Sequence, residues 1–195
     1  MSGQKPNILP AWAGEIVRFA PKDAREVRER EMMLDLVACF GDRILLREND
    51  FAHMTASSII VSRDRKRTLM AFHRIYNSWA WTGGHADGES DFEAIARREA
   101  QEETGITGLR MLGHGPASLE ILPVWAHEKR GRAVGSHLHL NVSYLYEADE
   151  SLPLRAKQDE NSAVGWIRVD TLAEKVTEPP MLPIYDRLLS RANDW

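Results

Sequence analysis

Two periods alternate along this chain, and the switches between them mark out its elements. Met33, Leu36, Val37 and Phe40 recur at helical spacing, and Asp23 with Glu26 makes a capping pair ahead of them. A helix is therefore predicted from 23 to about 40, stopped by Gly41-Asp42. Residues 1 to 21 carry three prolines and no period, and read as an extended lead-in. "MTASSIIV" (54–61) and "TLMAFHRI" (68–75) are short, apolar and partly β-branched, and the charged "SRDRKR" between them suggests a hairpin or two neighbouring strands. After a loop, "YNSWAWTGGHADGES", a second helix spans roughly 90 to 104. Strict alternation returns over 136–146: Leu138, Leu140, Val142, Tyr144 and Tyr146 share one face, and His137, His139, Asn141 and Ser143 share the other. That polar face either lines a cleft or meets water, and water is the expectation. "AVGWIRV" (163–169) is another strand, with Asp170 as a cap for a short helix after it. A last helix runs from about Pro183 to Ala192. No repeat is visible. Strands interleaved with a few helices predict an α/β sandwich around one mixed sheet. A helix-bearing extension, 1–45, would precede the main domain, 46–195.

The helix at 90–104 carries a conflict. Phe92, Ile95 and Ala96 define its apolar stripe, and in projection Glu99, Glu102 and Glu103 continue that stripe until Ile106 resumes it. Unpaired carboxylates facing a core are costly, and Glu102 and Glu103 also sit in the last turn, where the helix dipole disfavours anions. Arg98 relieves only part of this. A hard divalent cation such as Mg²⁺ removes both objections, because it binds carboxylate oxygens while keeping water or phosphate ligands. The alternative is a solvated acidic helix end. Gly83-Gly84 and Gly88 precede the helix and allow a close backbone approach, although such glycines more often mark ordinary turns.

Bulk properties narrow the field a little. The 195 residues are 43% hydrophobic and 28% charged, as expected of one globular domain with an extension. A net charge of −4 argues against a partner that is a nucleic-acid polymer, but not against a small anion held by a few local cations. No apolar run is long enough to span a bilayer, and the N-terminus lacks the order of a signal peptide. With one cysteine, Cys39, there is no intramolecular disulfide and no cysteine-based metal site. Cys39 is expected to be a buried helix residue. A cytoplasmic location is the simplest expectation.

Taken together, "GGHADGESDFEAIARREAQEETGI" (83–106) resembles the Nudix box, G-x5-E-x7-R-E-U-x-E-E-x-G-U, with U a bulky aliphatic. Arg98, Glu99, Glu102, Glu103, Gly105 and Ile106 match, Ala100 stands at the first U, and Gly84 lies fourteen residues before Arg98. The first glutamate position falls on Ser90, with Glu89 one residue early, so the loop-to-helix junction departs from the pattern. The resemblance implies a Nudix-type α/β/α sandwich. It also implies hydrolysis of a nucleoside diphosphate linked to another moiety, with Mg²⁺ or Mn²⁺. Glu99, Glu102 and Glu103 would then be metal ligands, or one of them the base acting on water. Arg98 would orient a glutamate, and the Gly83 carbonyl would be a further ligand. Family members often place another acid before a late tryptophan-bearing strand; here "DENSAVGW" offers Asp159 and Glu160, with Glu160 preferred.

Other residues are candidates for choosing the substrate. Trp79 and Trp81 would face the same way in an extended segment, either stacking on a base or packing in the core. His73 and His85 bracket the same region, and His85 is near enough in sequence to touch phosphate. His137 and His139 would join them if the polar face lines a cleft. Arg130 and Arg132, in the basic loop "HEKRGRAVGS" (127–136), would hold a distal phosphate or simply cap a solvated hairpin. Subgroup signatures for NADH, coenzyme A, ADP-ribose and diadenosine polyphosphates are not matched; Pro116 and Pro123 do not fit the spacing expected for ADP-ribose. The N-terminal helix is a candidate surface for a homodimer, for packing, or for closing a cleft. Two other classes compete with the hydrolase: a catalytically silent Nudix-fold binding or regulatory module, and an isopentenyl-diphosphate isomerase-like enzyme.

Overall fold

The computed structural model describes residues 9–74, 77–129, 131–157 and 161–195. Four α-helices occur there: α1 (Gly14–Arg18), α2 (Ala24–Phe40), α3 (Phe92–Thr104) and α4 (Leu182–Ala192). The strands are β1 (Ala52–Ser62), β2 (Arg67–His73), β3 (Ser78–Ala80), β4 (Thr82–His85), β5 (Arg110–Leu112), β6 (Ser118–Val124), β7 (His127–Lys129), β8 (Arg132–Val134), β9 (His137–Ala148) and β10 (Asn161–Arg168). Long strands β1 and β9 pair in parallel along their whole length, Ala52 opposite Leu138 through Ser62 opposite Ala148. All other pairings are antiparallel. One edge of β1 takes β4 at its start and β2 at its end, while β9 takes β6 and β5 in the same manner. Strand β10 extends the sheet beyond β2, β3 pairs with the other end of the β2 edge that meets β1, and β7–β8 is a separate hairpin.

Period-two alternation sorts this sheet into two cores. Met54, Ala56 and Ile60 of β1 and Leu140, Val142, Tyr144 and Tyr146 of β9 meet Met33 and Val37 of α2 and Phe92, Ile95 and Ala96 of α3. On the opposite face Ile59, Val61 and Leu145 meet Ile184, Tyr185 and Leu188 of α4. The result is an α/β/α sandwich with a mixed sheet, and each large apolar side chain so buried contributes roughly 1.5–3 kcal/mol. Helix α2 begins as its capping pair predicts, Glu26 N–H donating to Asp23. The Glu26 carboxylate is itself fully buried, accepting from Lys22 N–H, Ser118 and Arg191 with Arg187 close by. It ties the N-terminal helix to β6 and to α4.

Four expectations need correction. The lead-in is not extended throughout, since a 3-10 turn (Ala11–Ala13) runs into α1 (Gly14–Arg18), with Ile16 buried in the core. Asn141 and Ser143 do not meet water but are almost wholly buried. Asn141 accepts from Thr55 and Ser57 and donates to Glu120 and Ser143, so the polar face is satisfied internally. Cys39 is exposed, because it lies on the outer side of α2. Asp170 does not cap a helix; it pairs with the Arg168 guanidinium beside it.

Candidate active site

Helix α3 starts at Phe92, two residues later than the sequence pattern suggests, with Asp91 as cap accepting from Ala94 N–H. It ends at Gly105, whose left-handed backbone (φ +70°) closes the helix by donating to the Gln101 carbonyl. The chain after β9 then covers this end: Arg155 N–H donates to Thr104 O, and Lys157 N–H to Glu103 O. Carbonyls that a helix terminus leaves orphaned are thereby satisfied.

The three glutamates do not share one environment. Glu103 is buried, with Oε1 accepting from Gly83 N–H at 2.9 Å and Oε2 from the Asn161 amide at 2.7 Å. Glu99 is half-buried against Gly84; a Cβ on that glycine would stand 2.7 Å from Glu99 Cγ and overlap its carboxyl group. Glu102 departs from the inward line expected of it: its side chain is 48% exposed and lies 3.7 Å from Lys157 Nζ. The cause is angular, since a step of 100° per residue sets Glu102 well to the side of a stripe centred between Glu99 and Glu103. Arg98 pairs with Glu89 of the preceding loop at 2.7 Å. The early Glu89 of the loop is thus fastened to the helix by an ion pair. Another pair, Arg47 to Asp87, together with Gly88 N–H donating to Leu45 O, fixes the preceding loop.

Gly83 and Gly84 lie in β4, opposite Ser57 and Ala56 of β1. The Gly83 group that touches Glu103 is its amide. Three carboxylates spaced over about one helical turn offer the hard oxygen donors that Mg²⁺ and Mn²⁺ take. The hollow at Gly84 seats the Glu99 carboxyl beside them. Asn161 was not foreseen. It stands next to the preferred Glu160, which with Asp159 and Arg130 lies outside the described residues; the only hint in the sequence was its place at the head of the tryptophan-bearing strand.

Among the other candidates, Trp79 packs edge-on against Phe72 and Trp81 against Tyr185, both half-buried at the margin of the second core. Arg132 is exposed on the β7–β8 hairpin. His85, His137 and His139 come together and are joined by His53, whose ring centroid lies 5.1, 4.7 and 4.9 Å from theirs. Sequence offered no signal for His53, a single histidine at the start of an apolar strand. Burial, followed by the charges of His85, His53, His137 and Arg47, holds His139 down to about 2. His53 is also lowered, chiefly by burial.

The chain belongs to the Nudix family, since the NUDIX domain model matches residues 52–188. An RNA pyrophosphohydrolase of Caulobacter vibrioides (strain NA1000 / CB15N) is 33% identical over 106 residues, 52% of this chain and 61% of that protein. The chain therefore spans less than two thirds of the length of that relative. Among solved structures, a NUDIX-family hydrolase from Clostridium perfringens superposes with a TM-score of 0.51 at 19% identity, covering 71% of this chain and 96% of that one. The Ap4A hydrolase of C. elegans, in a binary complex, gives 0.53 at 18% identity, covering 73% and 98%. Such likeness shows the fold.

Proposed function

We propose that this chain is a divalent-metal-dependent pyrophosphohydrolase, cleaving the pyrophosphate bond of a nucleoside diphosphate linked to another moiety. The supporting observation is the placement of Glu103, buried at the end of α3 and held on both oxygens by Gly83 and Asn161 while Glu99 fills the hollow at Gly84. Glu99, Glu102 and Glu103, with the Gly83 carbonyl, would hold Mg²⁺ or Mn²⁺. When bound, the ion screens the diphosphate and lowers the pKa of a water. The chain's own part is to position these carboxylates and take up a proton. Gly83 N–H and the Asn161 amide fix the rotamer of Glu103, so its carboxylate needs no reorganisation during the reaction. One of the three glutamates accepts the proton of the attacking water. Arg98 keeps Glu89, and with it the loop, against the helix. Glu160 would add a further acid, Trp79 or Trp81 a face for a base, and Arg130 and Arg132 a hold on a distal phosphate.

Intact Glu99, Glu102 and Glu103 weigh against a silent binding module. The exposed Cys39 on α2 gives no support to the isomerase-like alternative. Among the described residues no helix is long and apolar enough to cross a membrane. The test is incubation with Mg²⁺ or Mn²⁺ and nucleoside triphosphates, nucleotide sugars, ADP-ribose, dinucleotides, coenzyme A and RNA with a 5′-terminal pyrophosphate bond. Products are followed by chromatography, with Glu103→Gln as control. Cleavage present in the native protein and lost in the variant supports the proposal. Metal binding without cleavage of any compound would favour the binding module, and allylic isomer without phosphate release the isomerase.

A further inference from the structure

We propose that His53, His137 and His139 form a second metal site, selective for a borderline transition ion of the Zn²⁺ class and separate from the glutamates of α3. Parallel pairing of β1 with β9 sets His53 directly opposite His139, and β9 places His137 two residues earlier on the same face. The ligand nitrogens of the three rings all lie within 4.8 Å of one another.

Tautomers favour a ligand role. Nδ1 of His137 lies 2.9 Å from the Gly135 carbonyl, and Nδ1 of His53 lies 3.3 Å from the Asn49 carbonyl. A carbonyl only accepts, so in both rings Nδ1 carries the proton and Nε2 presents a lone pair. This backbone-oriented imidazole is the arrangement that metal-binding histidines use. The Nε2 of His53 is buried with no hydrogen-bond partner, in a residue only 3% exposed. An orphaned buried acceptor is costly, and a bound cation would satisfy it. Nε2 of His137 and Nε2 of His139 stand 3.3 Å apart. Tetrahedral Zn²⁺, with bonds of about 2.0–2.1 Å, sets neighbouring donor nitrogens about 3.3 Å apart. Small ring rotations would bring His53 to the same separation.

Three neutral imidazoles leave the charge of the ion uncompensated and its fourth position open to water or an anion. His85, its ring centroid 4.9 Å from that of His139, walls that side. Nitrogen donors disfavour Mg²⁺, so the two sites would sort two classes of ion. Strand β4 connects them: its Gly83 and Gly84 meet Glu103 and Glu99, and its His85 meets the histidines.

The experiment uses tag-free full-length protein stripped with chelator and titrated with Co²⁺, then Zn²⁺, with visible absorption and bound metal measured. We expect one equivalent of Co²⁺ with the intense bands of tetrahedral coordination, displaced by Zn²⁺ and unmoved by excess Mg²⁺. Glu103→Gln should keep this site. His137→Ala, at a partly exposed ring, should weaken it at least about 100-fold, beyond what loss of an outer-shell partner costs. His139→Ala should do the same, with circular dichroism confirming the fold. Absence of the tetrahedral spectrum would overturn the site. So would unchanged affinity in folded His137→Ala, or a signal lost in Glu103→Gln but kept in His137→Ala, which would assign the ion to the glutamates.

Discussion

Gly84 has no side chain because Glu99 already stands where one would project. Adding a methyl group would displace a flexible carboxylate without rearranging the backbone, so function should suffer far more than stability. We expect Gly84→Ala to lower turnover at least about tenfold, as misplacement of a reacting group does, while the melting temperature moves by only a few degrees. Steady-state kinetics beside a thermal melt would check this, and a variant as active as the native protein would show that Glu99 need not sit there. Glu103→Gln differs in kind: it keeps shape but loses the negative charge and sets an amide against one of two donors. It should cost nearly all activity and about 1–3 kcal/mol of stability, the cost of a mismatched buried hydrogen bond. If turnover stays near normal in the folded variant, Glu103 is not part of the chemistry. The same contacts show why Asn161 escaped notice. Its value depends on a hydrogen bond across 58 residues of chain, and no local spacing encodes that.

Elements owe their placement to a few polar ties as much as to their apolar stripes. Helix α2 and helix α4 are both bound through Glu26, which meets Arg191 at 2.7 Å and Arg187 at 3.4 Å, while Arg187 also reaches Glu120 at 3.3 Å. Burial raises the Glu26 carboxyl, but Arg191, the Lys22 amide and Ser118 outweigh it and hold it below its ordinary 4.5. A depressed carboxyl stabilises the fold above its unfolded pKa, and that contribution is lost as pH falls through the folded value. Urea unfolding should therefore show the native protein losing stability below about pH 4.5, with Glu26→Gln less stable at neutral pH and converging with it in acid. Parallel curves would remove Glu26 from the account. Elements were legible wherever period and caps agreed. Helix α3 with its box, the β1–β2 pair and the alternation of β9 all follow from local pattern. The burial of the polar face of β9 was hidden, because alternation tells which residues share a face but not whether another element covers it. Glu120 and Arg187, which help bury that face, come from β6 and α4. The gathering of four histidines from three strands was hidden for the same reason.

At the scale of the molecule, the parallel pair β1–β9 is the common wall of both cores, and everything else is laid against it. Its partners lie far apart in the chain, so the pair cannot form until the intervening elements have been brought back to it. Its amides are hydrogen-bonded on both edges over much of their length, with apolar packing above and below. The β7–β8 hairpin pairs only with itself and carries no residue of either core among those described. Amide exchange opens locally where buried contacts are few and globally where they are many. Exchange should accordingly be slowest at Met54–Ile60 and Leu140–Tyr146 and faster by orders of magnitude in the hairpin around Arg132. Mass-resolved hydrogen exchange on the native protein would measure both. A hairpin protected as strongly as β9 would mean that this basic loop is held by the body of the protein. Rapid exchange there would instead fit an arm that orders only when Arg132 meets an anionic substrate, and adding a non-hydrolysable diphosphate should then slow it without altering the central strands.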